Sequence, residues 1–199
     1  MVGARDRSIL LKRLSTLGLF VAALWAVQTV NWLLGYQLNP RLGLIPRQTA
    51  GLDGILGMPM LHGSFSHLMS NTPPLLLMGT LLAATTTRAL TALNAIIVVL
   101  GGGLVWLFGN SAIHVGASGL IFGWFGFLVV RGVVDRSLVT LGTAVVVGVL
   151  YGSIIWGVLP GQPGVSWEAH LFGALAGAVA AVLLRTGVHK PEIGRIRRR

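Results

Sequence analysis

The chain has no cysteine among its 199 residues and few charged side chains. Without thiols, neither disulfide bonds nor thiolate metal ligands can form. Charged residues make up 10% of the sequence, whereas soluble domains carry roughly 25%. Acidic residues are the scarcest, with five Asp and Glu against 15 Lys and Arg. These shortages exclude a disulfide-stabilised domain and argue against an ordinary soluble protein.

Long apolar runs occupy most of the sequence, which is 54% hydrophobic with a mean hydropathy of +0.80. A membrane span needs about 20 mostly apolar residues. The runs predict an all-α membrane protein, a bundle of six transmembrane helices with a long outer loop after the first. The basic-then-apolar start is not closed by an Ala-x-Ala cleavage site, which predicts a retained helix. The predicted spans are residues 14–34, 65–85, 90–108, 116–130, 138–159 and 167–184.

Basic residues are distributed unevenly across this predicted topology. An even number of spans puts both chain ends on one side with Arg88, Arg131 and Arg136, and that side holds all basic residues except Arg41 and Arg47. The positive-inside rule then predicts a multi-pass protein of the cell membrane with cytoplasmic termini. The predicted domains are a basic cytoplasmic tail at 1–13, a transmembrane domain at 14–184 and a basic cytoplasmic tail at 185–199. The basic ends predict contact with membrane lipid and no nucleic-acid partner.

Polar side chains within the predicted spans are few. Such residues are costly in a membrane, so each of them suggests a function. His62, His67 and Asn71 lie at the start of the second span, Ser118 starts the fourth and His170 starts the sixth. All three span starts face the outer side in the predicted topology. The sequence therefore predicts that these side chains meet at one depth.

Small residues accompany two of these clusters. Gly-Ala-Ser-Gly at 116–119 is a weak signal alone, because small residues also serve helix packing in membranes. Gly173 and Gly177 have the small-xxx-small spacing that lets another helix approach closely. Close packing of the fourth and sixth spans would bring the Ser118 hydroxyl within hydrogen-bond reach of His170.

Taken together, three ordered motifs resemble the rhomboid family of intramembrane proteases, in its bacterial type with six transmembrane helices. The motifs are His-x4-His-x3-Asn, Gly-x-Ser-Gly and Ala-His-x2-Gly-x3-Gly, formed here by His62, His67 and Asn71, by Gly116, Ser118 and Gly119, and by Ala169, His170, Gly173 and Gly177. The resemblance implies a serine endopeptidase that hydrolyses peptide bonds in or near transmembrane segments of other membrane proteins.

The same resemblance implies residue roles. Ser118 is the expected nucleophile and His170 its general base, in a dyad that opens to the outer side. The side chains of His67 and Asn71, with the backbone N–H of Ser118, are expected to stabilise the oxyanion. Phe122 is expected to stack on the His170 ring. His62 is expected to support the outer loop or a site that retains water.

No carboxylate is expected to complete a triad. Three of the five acidic residues fall on the predicted cytoplasmic side, Asp53 lies in the long loop, and Glu168 stands too close to His170 in sequence to share its helix face. No His, Asp and Glu cluster has metal-ligand spacing, so neither a metal nor another cofactor is expected. His114 is expected to be a solvated loop residue.

Two other functions compete with the protease. An inactive rhomboid-like protein would bind membrane partners and guide their traffic, although Ser118 and His170 are both present. A transporter or channel would have internal repeats or charges within its spans, and the sequence has neither.

Pro73 and Pro74 lie inside the second predicted span. They fit a first helical turn only if that span begins near Thr72, or else they widen the entrance.

Overall fold

The computed structural model describes residues 4–86 and 89–185. Within these residues the chain is helical, with an isolated antiparallel bridge between Leu44 and His114 as its extended pairing. The prediction of an all-α membrane protein is confirmed. The main helices are α1 (Ala4–Leu33), α2 (Phe65–Thr85), α3 (Leu90–Phe108), α4 (Ser118–Asp135), α5 (Leu138–Tyr151) and α6 (Trp167–Leu183).

Two of these helices depart from plain α-helical geometry. A π-helical turn, Ile97–Gly101, interrupts α3, and α5 continues as a 3-10 helix over Gly152–Val158. The long loop between α1 and α2 contains short helical turns at Leu38–Leu42, Thr49–Gly51, Gly54–Gly57 and Met58–Met60.

Four helices in the described part of the chain are long and apolar enough to cross a membrane: Arg5–Leu33, Leu90–Phe108, Ser118–Asp135 and Leu138–Val158. Helix α2 has 21 residues, but its first two turns carry the polar side chains named above. Helix α6 is apolar and has 17 residues. These lengths are those of a membrane-embedded bundle.

Helix boundaries agree with the predictions at α2 and α3, and within one residue at α5 once its 3-10 continuation is included; they differ most at α1 and α4. Helix α1 begins at Ala4, so it includes most of the segment predicted as a tail at 1–13. Helix α4 begins at Ser118 and runs to Asp135, beyond the predicted end at 130. The predicted tail at 185–199 lies outside the described residues except for Arg185, and Arg88 also lies outside them.

Of the two alternatives left open for Pro73 and Pro74, a helix start near Thr72 does not occur: α2 begins at Phe65, as the predicted span does, and contains both prolines. Membrane helices tolerate proline where other groups satisfy the freed backbone. The carbonyls that lose their helical N–H partners are those of Met69 and Ser70. One turn earlier, Ser70 Oγ donates to the His67 carbonyl at 2.8 Å and Thr72 Oγ1 to that of Leu68 at 2.9 Å. Asn71 is therefore helical.

Helix α4 lies at the centre of the bundle and crosses α6 at glycine positions. A Cβ at Gly173 would overlap the carbonyl of Gly119, and a Cβ at Gly177 would overlap that of Gly123. Only glycine permits this approach of two backbones. The crossing fixes the start of α4 against the start of α6, which positions the candidate site.

Candidate active site

The serine and histidine predicted to form the dyad line the same cavity, of about 600 Å³. Ser118 is the first residue of α4 and is half-buried, while His170 lies in the first turn of α6 and is 9% exposed. His67 and Asn71 of α2 line the same cavity. The structure therefore brings together the three helix starts that the sequence predicted to meet. Within the described residues, the Ser118 hydroxyl and His170 share this cavity wall without a hydrogen bond between them.

The His170 ring is oriented by two contacts. Its Nδ1 lies 2.9 Å from the carbonyl oxygen of Gly157, at the end of α5. Because a carbonyl can only accept, Nδ1 carries the proton, and the neutral ring presents Nε2 as its acceptor. The Phe122 ring stacks on the imidazole with centroids 4.1 Å apart and an interplanar angle of 6°. This is the tautomer that a general base requires.

The segment before Ser118 is held in an unusual conformation. Gly116 has a φ of +131°, and a Cβ there would lie 2.8 Å from His67 Cε1 and 3.5 Å from Ser118 Oγ. A side chain would be strained by the backbone and would displace the His67 ring. The Gly116 N–H donates to the Met58 carbonyl at 2.9 Å. Glycine is thus required for His67 and Ser118 Oγ to converge.

His62 supports this segment from behind. Its side chain is fully buried, and its Nε2 accepts the Ala117 N–H at 3.3 Å. Its ring meets that of His67 edge-on, with centroids 5.1 Å apart. Burial, followed by the charge of His67, lowers the pKa of His62 to about 3. The neutral ring therefore persists near neutral pH as an acceptor for the loop that precedes Ser118.

The starts of α2, α4 and α6 differ in their capping. Ser64 caps α2 by accepting the His67 N–H, and Ser166 caps α6 by accepting that of Ala169. Helix α4 follows Ala117 and has no side-chain cap. The backbone N–H groups of its first turn, including that of Ser118, are therefore left for another acceptor.

Comparison with known proteins identifies the family. The family model described as Rhomboid domain matches residues 51–187. The chain belongs to the rhomboid family. Uncharacterized proteins of Mycobacterium tuberculosis and Mycobacterium bovis are each 43% identical to this rhomboid over 179 residues, covering 85% of this chain and 74% of theirs. An uncharacterized protein of Mycobacterium leprae is 39% identical over 175 residues, covering 83% and 68% respectively.

One sequence expectation about the site of this rhomboid is wrong. His114 was expected to be solvated, but it is 2% exposed and its backbone pairs with Leu44 in both directions. Its Nδ1 lies 2.6 Å from Ser166 Oγ. Burial follows from the long loop, which covers the connection between α3 and α4. No local pattern in the sequence shows this, because Leu44 and Ser166 are far from His114 along the chain.

The carboxylate nearest to His170 in sequence bonds to another segment. The Glu168 carboxylate is 3% exposed and accepts the Asn110 N–H at 3.1 Å, so it serves the connection before α4. The group that orients His170 is the Gly157 carbonyl, which sequence reasoning missed. A backbone acceptor leaves no side-chain signature, and the 3-10 geometry at the end of α5 is what brings it to the ring.

Proposed function

We propose that this rhomboid is an intramembrane serine endopeptidase that hydrolyses peptide bonds in or near transmembrane segments of other membrane proteins. The observation that carries the proposal is the bonding of His170. With Nδ1–H committed to Gly157, its Nε2 is the base available to a serine on the same cavity wall. A serine hydroxyl becomes a useful nucleophile only when an adjacent base accepts its proton.

In the proposed reaction, Ser118 Oγ attacks the scissile carbonyl while His170 Nε2 accepts the hydroxyl proton. The C–N bond then breaks as the imidazolium returns that proton to the leaving amine. Water then attacks the acyl-enzyme while His170 Nε2 accepts its proton, and the ester C–O bond breaks as that proton passes to Ser118 Oγ. The reaction requires Ser118 Oγ to come within hydrogen-bond distance of His170 Nε2 when substrate binds, as catalytic hydrogen bonds often tighten only in that complex.

The negative charge that develops on the carbonyl oxygen requires donors. Asn71 Nδ2 is buried without a partner among the described residues, and His67 lines the same cavity. The uncapped start of α4 adds the Ser118 N–H and the favourable end of a helix dipole. These three donors match the oxyanion role that the sequence resemblance implies.

The proposed topology has six spans, cytoplasmic termini and a cavity that opens on the outer side of the cell membrane. It is supported by the uneven distribution of basic residues and by the common end at which α2, α4 and α6 begin. Hydrolysis needs water, and irregular backbone at this depth is tolerated only where it borders protein or a water-filled cavity. Membrane-protein substrates would enter from lipid.

The test is cleavage of a single-pass substrate protein by purified wild type, Ser118→Ala and His170→Ala, with labelling by a fluorophosphonate. We expect wild type to cleave and to label at Ser118, and both variants to lose at least about 10³-fold in rate. Equal cleavage by all three proteins would reject the dyad. A wild type that folds but neither labels nor cleaves would favour the inactive, partner-binding alternative.

A further inference from the structure

A ring of four hydrogen bonds joins the connection before α4 to the first turn of α6. Asn110 N–H donates to Glu168 Oε1 at 3.1 Å, and the Asn110 carbonyl lies 3.2 Å from His114 Nε2. His114 Nδ1 lies 2.6 Å from Ser166 Oγ, which accepts the Ala169 N–H at 3.3 Å. Glu168 and Ala169 are neighbours in sequence, so the ring closes.

The donors in this ring can be assigned from its acceptors. The Asn110 carbonyl can only accept, so His114 Nε2 carries a proton and donates to it. In the neutral ring Nδ1 is then an acceptor, and the Ser166 hydroxyl donates to it at the short distance of 2.6 Å. Ser166 thereby caps α6 with its lone pairs while its proton binds His114. In this ring of hydrogen bonds, His114 Nδ1 accepts the Ser166 hydroxyl proton, and Ser166 Oγ accepts the Ala169 N–H.

Both members of this pair lie four residues before a member of the proposed dyad. His114 precedes Ser118 by four positions, and Ser166 precedes His170 by four, with its carbonyl accepting the His170 N–H at 3.2 Å. The His114 backbone is itself fixed by its pairing with Leu44. A change at the His114–Ser166 bond would therefore move Ser118 and His170 relative to one another.

We propose that His114 is a positioning residue that sets the distance and angle between Ser118 and His170 through Ser166. This inference rests on the proposed protease function. Its physical basis is that a misplacement of about 1 Å in a catalytic group can cost about 10²-fold in rate. His114 acts on the dyad through Ser166 and needs no contact with the scissile bond.

The test compares His114→Phe and Ser166→Ala with wild type, using fluorophosphonate labelling in detergent and cleavage of a single-pass substrate. We expect the labelling rate constant and kcat to fall together by about tenfold to about 10²-fold. KM should stay within about twofold, and labelling should still reach completion, because the variant protein is folded and only its Ser118–His170 pair is misaligned. The double variant should be little slower than His114→Phe alone, since both changes break one bond.

Ser137→Ala is the matched control. Ser137 also caps a helix, accepting the Thr140 N–H at 3.1 Å at the start of α5, outside the cavity lining. Its loss should lower thermal stability as the loss of the Ser166 cap does, without changing the labelling rate constant. Ser166→Thr keeps both the cap and the hydroxyl donor, and it should retain more of the rate than Ser166→Ala.

The outcomes separate the two proposals. A wild type that labels normally, with a rate constant in His114→Phe within twofold of it, would overturn the positioning role and leave the protease function standing. The positioning role would also be overturned if His114→Phe lost only thermal stability, which is the result expected for Ser137→Ala. A wild type that is folded yet inert would overturn the protease function and the positioning role together. If His114→Phe does not fold, the Ser166→Ala and Ser166→Thr pair decides the question by the same criterion.

Discussion

The ring of Phe122 lies parallel to that of His170, with centroids 4.1 Å apart and an interplanar angle of 6°. Together with the Gly157 carbonyl, this stack leaves the imidazole one orientation. Phe122 is 5% exposed and stands one helical turn after Ser118, so it ties the proposed base, His170, to the helix that carries the proposed nucleophile. In the proposed dyad, this arrangement takes the place of the carboxylate that orients histidine in a triad.

Replacing Phe122 should therefore affect turnover beyond its effect on packing. An aromatic stack contributes about 1 kcal/mol, which corresponds to about fivefold in rate if it is lost from the transition state. We expect Phe122→Leu to lower kcat by about this factor. Phe127→Leu is the control, because Phe127 is buried in the same helix away from the cavity. Equal kcat values for the two variants in a substrate-cleavage assay would contradict an orienting role.

The crossing of α4 and α6 should not tolerate a methyl group. At Gly177 a Cβ would overlap the Gly123 carbonyl, so we expect Gly177→Ala to lower stability by at least about 1–3 kcal/mol and to slow labelling of Ser118. In α5, Gly142 has open space around it, and Gly142→Ala should be neutral or stabilising by about 0.5–1 kcal/mol. Thermal unfolding in detergent compares them. A Gly177→Ala protein as stable as Gly142→Ala would show that the helices can separate freely.

The proposed oxyanion donors should matter for rate and little for binding. We expect His67→Ala and Asn71→Ala each to lower kcat by about 10²–10³-fold with KM nearly unchanged, as loss of one such donor usually does. Ser66→Ala serves as the control, because Ser66 is exposed on the same helix outside the cavity lining. Full turnover by either donor variant would remove that residue from the oxyanion role.

His62 should make the stability of the protein depend on pH. Its pKa is lowered to about 3 by burial and by His67, whereas the unfolded chain titrates near 6.5. Between these values the unfolded state binds a proton that the folded state does not, so stability is present above pH ~6.5 and is lost as the pH falls toward 3. We expect the Tm in detergent to drop between pH 7 and pH 5, and to drop less in His62→Asn. Identical pH slopes would refute this.

The predicted topology can be tested with single cysteines because the chain has none of its own. Pro163 and Arg185 are both exposed and lie near opposite ends of α6. In intact cells, a maleimide that cannot cross the membrane should label Pro163→Cys and not Arg185→Cys. Permeabilised cells should label both. Labelling of Arg185→Cys in intact cells would reverse the assignment of the two sides.

The sequence predicted the helices best where composition changes abruptly. Residues 65–85 and 90–108 are apolar runs with polar boundaries, and the structure places α2 and α3 at those bounds. The start of α1 was missed because residues 4–13 are basic and look like a tail, although basic residues are good helix formers. Hydropathy measures affinity for lipid, and a helix can extend beyond the membrane.

Within the site, the sequence located side chains and missed the contacts between distant segments. Ser118, His170, His67 and Asn71 could be found because polar groups in apolar spans stand out. The burial of His114 depends on its pairing with Leu44, 70 positions away, and on the Ser166 hydroxyl that caps α6. Such contacts exist only after the long loop has folded, so no local pattern contains them.

The glycine contacts between α4 and α6 also limit how this protein can change over evolutionary time. A single substitution at Gly173 or Gly177 is obstructed by main chain, which has no alternative rotamer to offer. Substitutions are therefore easier to accommodate around the cavity mouth, at the exposed positions 110–113 and 159–164, which exclude His114 and Ser166.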